Sequence, residues 1–298
     1  MSTLIREPRP VVIDSHLHIG PWFGFTPPGF EPPLGGQLET LTGVEEFLHK
    51  SELYAAIAMI HYAPNLSEHS YQQAHEFLVQ ALASLDSLYG AVLVSPDYKW
   101  TCGDTALKEL CESPKVVALK IAPNTWSNAS LAPRTWRGDV GRRLEHLIAF
   151  SCDAGLPIQT HTGGGNASVS HLEDFVANFG ESVDLHCVHM GGRASGHFAF
   201  VPLFCEWMLA GKRVYCDFSW ARPFGSRWLV RALRAREIPL TNLLLASDEP
   251  WGSLSMELTR IRELGLTVYE EEAILSGNAL ALYLEGSHHA NGCQRAGR

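Results

Sequence analysis

The chain has 298 residues, of which 46% are hydrophobic and 18% charged, with a formal net charge of −9. That composition excludes a disordered chain, and the acidic balance excludes a partner held by its nucleic-acid backbone, which requires clustered Lys and Arg. No apolar run approaches the ~18 residues of a membrane span, and the first residues lack the apolar stretch of a signal peptide.

In chain order, Val11–Ser15 reads as a first apolar strand. The segment Gly20–Leu38 follows it, with five prolines, five glycines and the aromatics Trp22, Phe23, Phe25 and Phe30. Such a loop reads as a pocket wall or lid. Thr42-Gly-Val-Glu45 predicts a capping box opening a helix over Gly43–Leu53. Strand Ala55–Ile60 precedes a long helix, Ser67–Tyr89, and strand Gly90–Ser95 follows. Helix Asp104–Glu112 and strand Val116–Ile121 come next. Helix Asp139–Ala154 is closed by Gly155 and Pro157, and strand Leu156–Thr160 follows it. Helix Ser168–Phe179, strand Val183–Val188, helix Ala199–Leu209 and strand Arg213–Phe218 continue the alternation. Helix Phe224–Arg236, strand Leu243–Ser247, helix Leu254–Leu264 and helix Glu270–Leu284 complete it.

Eight strand–helix units predict an α/β fold, a single-domain (β/α)8 TIM barrel spanning residues 1–285. A doubly wound open sheet is the alternative, but it usually needs a glycine fingerprint after the first strand, and none is present. The tail 286–298 lacks core residues and is expected to be disordered. Seven cysteines, odd in number and without a CxxC pair, argue against a disulfide framework and fit a cytoplasmic protein.

A barrel gathers its chemistry at the C-terminal ends of its strands. There the sequence places His16, His18, Lys120, His161, His189 and Asp248. His16 and His18 are two apart and share one side of an extended chain. A third histidine and a carboxylate at other strand ends make a nitrogen/oxygen set for zinc, manganese or iron. Strand parity puts Leu185, Cys187 and His189 on one face, with His189 reaching the mouth. His186 then faces away, buried against a helix or bonded to one. Arg193 and Arg222 follow strands on the same rim and suit an anionic substrate, or else ion pairs with nearby carboxylates. Trp22 lines the pocket, and His61, after the second strand, is a candidate supporting group.

Four segments together, Asp14-Ser-His-Leu-His-Ile-Gly, Gly155-Leu-Pro-Ile-Gln-Thr-His-Thr-Gly, Val188-His-Met-Gly-Gly and Leu245-Ala-Ser-Asp-Glu-Pro-Trp-Gly, resemble the amidohydrolase superfamily. They are most similar to its amidohydrolase-related branch of metal-dependent hydrolases and decarboxylases. The likeness runs from about Val11 to Tyr283, and Ile274-Leu-Ser-Gly-Asn-Ala-Leu-Ala-Leu-Tyr resembles the last helix of that branch.

The resemblance implies His16, His18, His161 and Asp248 as ligands of one divalent ion, zinc above manganese or iron. A second ion is implied if Lys120 is carboxylated and bridges; otherwise Lys120 holds an anionic substrate. Asp248 would also shuttle protons, and His189 would polarise a carbonyl or ligate a second metal. The implied activity is hydrolysis of a C–N or C–O bond in a small molecule by activated water. The alternative is non-oxidative decarboxylation of an aromatic or unsaturated acid. Self-association is common among the family's barrels, and no nucleic-acid or membrane partner is expected. Glu249 departs from the branch pattern, and either adds charge beside the metal or points to solvent.

Overall fold

The computed structural model describes residues 11–22, 36–62, 66–98 and 105–285. The expected lid segment, beyond Trp22, and the tail 286–298 lie outside the described residues, apart from 36–38. Eight parallel strands run in sequence order: β1 (Ile13–Ile19), β2 (Ala55–Ile60), β3 (Leu88–Val94), β4 (Val116–Ile121), β5 (Ile158–His161), β6 (Leu185–Val188), β7 (Val214–Asp217) and β8 (Leu243–Leu244). Beyond β8 the chain leaves β7 and turns to β1. Ser15 N donates to Leu245 O, Asp248 N to His16 O and His18 N to Glu249 O, at 2.7–3.0 Å. These bonds tie the last strand to the first, so the fold is a (β/α)8 TIM barrel.

The intervening helices are α1 (Leu41–Lys50), α2 (Glu68–Ser84), α3 (Thr105–Cys111), α4 (Gly138–Ala154), α5 (Val169–Phe179), α6 (Ala194–Leu209), α7 (Pro223–Arg234), α8 (Leu254–Arg262) and α9 (Val268–Glu272). The longer helices bury one stripe against the strands, where Leu17, Ile60, Leu78, Leu119, Phe175, Phe204 and Leu229 form the main core. After α9 the chain continues in wide π-type turns over Ala273–Gly277 and Leu280–Glu285. Ala279, Leu282 and Tyr283 of this segment pack with Ile13, Ala55, Ala91 and Leu244 inside the barrel. They plug its floor.

Several predicted boundaries move. Thr40, not Thr42, caps α1 and accepts from Gly43 N, because the helix starts two residues earlier. The predicted second helix is too long. Leu85 and Leu88 fit its apolar stripe, yet the chain leaves the helix after Ser84, and Leu88 begins β3. Helix α6 starts five residues earlier than predicted, at Ala194. Gly196 lets the helix pack closely there, since a Cβ would lie 1.9 Å from Gly191 O. No described helix is long and apolar enough to cross a membrane.

Candidate metal centre

A register irregularity between Asp14 and Leu17 positions the first two histidines. Ile13 faces the barrel interior, whereas Leu17 and Ile19 pack toward the helices. The shift inverts the alternation, which sends His16 and His18 inward. Both lie inside β1 rather than just past it, and both are buried.

Their hydrogen bonds assign their tautomers. Gln159 Nε2 donates to Ser15 O at 2.9 Å and to Tyr283 Oη at 3.0 Å, so Gln159 Oε1 must face His16. His16 Nδ1–H therefore donates to Oε1 at 3.3 Å. His18 Nδ1–H donates to Ile60 O at 3.2 Å. In neutral rings each Nε2 is then a bare lone pair. Those atoms lie 2.8 Å and 3.2 Å from the same oxygen, Asp248 Oδ1. Burial, followed by the Lys120 charge, lowers His16 to about 3, so the ring is neutral near pH 7. Burial would raise Asp248, but the neighbouring imidazoles of His189, His16 and His18 hold it well below the usual carboxylate range. Three lone pairs thus converge with no proton assigned between them, and each imidazole is held from behind by an oxygen acceptor. This is the donor chemistry of a divalent cation site, and the residues fit one.

Among the described residues, the ligand atoms of His16, His189 and Asp248 all lie within 4.8 Å of one another. His161 stands outside that group. Its ring is 5.0 Å from that of His189, and its Nδ1 pairs with Tyr62 Oη at 3.2 Å. Burial, then His189, hold His161 well below its ordinary range. Lys120 is fully buried, its Nζ has no hydrogen-bond partner among the described residues, and burial lowers it to about 7.

Strand parity fails at β6. Leu185 and Cys187 pack toward the helices, and His186 faces the barrel interior, where it pairs with Asp217 at 2.8 Å. Its other nitrogen lies 2.6 Å from Tyr283 Oη, so the predicted bond to a helical segment is present, but on the inside. His189 reaches the mouth because its own backbone turns, with φ 73° followed by Met190 at φ 49°. Trp220 (φ 57°) and Asp248 (φ 58°) share this conformation, uncommon outside glycine and concentrated at functional sites.

Arg193 and Arg222 are exposed at the starts of α6 and α7, and neither side chain makes an ion pair with a described residue. Trp22 stacks on His61 at 4.4 Å and meets Trp251 at 4.3 Å, while His61 stacks on His18 at 5.4 Å. Both His61 nitrogens are buried without hydrogen-bond partners among the described residues. Glu249 is buried and accepts from Leu254 N at the start of α8, so it does not face solvent, and burial together with the adjacent Asp248 charge raises it above its ordinary range.

Residues the sequence reading passed over hold this arrangement. Gln159 lies two before His161, on the same strand face, and parity alone could have drawn attention to it. Trp220 donates its indole N–H to Asp248 Oδ2 although its side chain is 56% exposed. His197 donates from Nδ1 to Met190 O at 3.0 Å and accepts from Arg222 N at 3.0 Å. It joins the His189 turn to the loop that carries Trp220.

The family model for amidohydrolases matches residues 13–284. The chain belongs to the amidohydrolase family. Solved structures share the fold of this amidohydrolase at low identity. A probable 2-pyrone-4,6-dicarboxylic acid hydrolase from Acinetobacter baumannii, with citric acid bound, is 14% identical, with a TM-score of 0.65 over 91% of this chain and 98% of that one. The 5-carboxyvanillate decarboxylase of Sphingomonas paucimobilis is 12% identical, with a TM-score of 0.67 over 92% and 99%. A dihydroxybenzoic acid decarboxylase from Polaromonas, with manganese and 2-nitroresorcinol, is 13% identical, with a TM-score of 0.66 over 92% and 97%. No curated protein matches this amidohydrolase in sequence.

Proposed function

We propose that this amidohydrolase is a metal-dependent hydrolase that cleaves an amide, ester or lactone bond of a small molecule. The observation that carries the reading is the convergence of His16 Nε2 and His18 Nε2 on Asp248 Oδ1. His16, His18, His161 and Asp248 are the proposed ligands of one divalent ion, with zinc, manganese and iron all suited to the set. Such an ion, when bound, supplies Lewis acidity and lowers the pKa of water toward about 7.

The protein's own contribution is positional. Asp248 Oδ1 faces the imidazoles, which leaves Oδ2, held by the Trp220 N–H, as the atom that takes the water proton and returns it to the leaving group. Lys120, buried and unpartnered, would receive a negatively charged substituent. Trp22, Trp251 and His61 wall the pocket beside His18 and exclude water. The proposed substrate is thus small, with an anionic or aromatic part, and the solvent-facing Arg193 and Arg222 stay at the rim.

The same Lys120 favours a second reading, decarboxylation, because a buried ammonium beside the Tyr62 ring also suits an aromatic carboxylate. Product analysis in 18O-labelled water separates the two. The metal-loaded protein is assayed on lactones, esters and amides, and separately on aromatic carboxylic acids. Label in a newly formed acid supports hydrolysis. Release of CO2 without label transfer overturns it in favour of the lyase.

A further inference from the structure

Beneath the metal centre runs a buried hydrogen-bonded circuit whose protons can be assigned one by one. His16 Nδ1–H donates to Gln159 Oε1, and Gln159 Nε2–H donates to Tyr283 Oη. Tyr283 Oη–H, having accepted that bond, donates to His186 Nδ1 at 2.6 Å. His186 Nε2–H donates to Asp217 Oδ2 at 2.8 Å. The other oxygen, Asp217 Oδ1, accepts from Ser219 Oγ–H at 2.5 Å, from Ser219 N at 2.9 Å and from His189 N at 3.2 Å.

A serine hydroxyl has one proton. Ser219 gives it to a carboxylate, which only accepts, so Ser219 Oγ is an acceptor toward His189 Nδ1, 2.8 Å away. A second acceptor, the Ser219 carbonyl, lies 3.3 Å from the same nitrogen. Both contacts require a proton on Nδ1.

We propose that Asp217, acting through Ser219, is a positioning residue that holds His189 in the Nδ1–H tautomer and reserves Nε2 as a lone pair at the barrel mouth. The proposal rests on the reading of His189 as a group of the active site and changes what it does there. A neutral His189 so held offers no hydrogen-bond donor to a substrate carbonyl. Its Nε2 accepts a proton from the reacting groups, or donates its lone pair to a cation, and its position within 4.8 Å of the His16 and Asp248 ligand atoms suits both. Ser219 and Asp217 serve His189 as Gln159 serves His16. The two supports meet at Tyr283, so the last helical segment braces both sides of the centre.

The test reads the tautomer directly. Metal-free protein labelled with 15N in histidine is examined by long-range 1H–15N correlation at mildly alkaline pH. His189 is assigned by the signals lost in His189→Asn. The expected wild-type result is the Nδ1–H pattern. Ser219→Ala leaves only the longer carbonyl contact, so the Nε2–H form becomes populated, and Ser219→Thr restores the wild-type pattern. An Nε2–H tautomer in the wild type, or His189 signals in Ser219→Ala identical to wild type, overturns the proposal. Neither readout uses substrate, so failure of the hydrolase reading would show in product analysis and leave this result unaffected.

Discussion

Replacing Tyr283 by Phe isolates the circuit from the packing around it. The ring is fully buried in the barrel floor and stays in the variant; only the hydroxyl is lost. Two partners are orphaned, Gln159 Nε2 at 3.0 Å and His186 Nδ1 at 2.6 Å. A buried polar atom left unpaired costs about 1–3 kcal/mol. Gln159 keeps Ser15 O and His186 keeps Asp217, so neither side chain is stranded entirely. The expected destabilisation is therefore about 2–4 kcal/mol, which at about 2 °C per kcal/mol lowers the melting midpoint by about 4–8 °C. Gln159 also orients His16, so manganese affinity should fall about tenfold. Urea unfolding of metal-free protein gives the first quantity and calorimetric titration the second. A variant within about 0.5 kcal/mol of wild type, with unchanged affinity, would refute the proton assignments.

Other perturbations follow from the same contacts. Lys120→Met removes a buried, unpartnered ammonium and keeps its length, so the metal-free protein should become more stable by about 1–3 kcal/mol in urea unfolding while catalysis is lost. Trp220→Phe should leave stability nearly unchanged, because the side chain is 56% exposed, but weaken manganese binding about tenfold as Asp248 Oδ2 loses its donor. Burial on α2 lowers His75 from 6.5 to about 4. The unfolded chain then takes the proton first. The contribution to stability is complete above about pH 6.5 and is lost as pH falls toward about 4. Between about pH 7.5 and about pH 5 wild type should lose about 2 kcal/mol more than His75→Gln in urea unfolding. A variant with the wild-type pH dependence would exclude His75 as the cause.

The barrel was legible because its strands are buried on both faces and so appear as short apolar runs at regular intervals. The chemistry-bearing residues were legible because they stand at or near the ends of those runs: His161, His189 and Asp248. What escaped was orientation. The irregularity in β1 and the left-handed backbones of His189, Trp220 and Asp248 change where side chains point, and strand parity cannot anticipate them. His186 was assigned to the wrong face for that reason. Gln159, Asp217, Ser219 and Tyr283 were passed over because each looks ordinary alone. Only folding brings the last helical segment beneath β5 and β6 and makes them one network.

The central claim is that His16, His18 and Asp248 meet around a divalent ion. The most direct test is the metal-to-chain ratio of protein purified from medium supplemented with zinc and manganese, measured for wild type and for His16→Ala. A ratio near one is expected for wild type and near zero for the variant, with a ratio near two indicating that Lys120 is carboxylated and bridges. Wild-type protein that holds no metal, and whose melting midpoint is unmoved by added zinc or manganese, would contradict it.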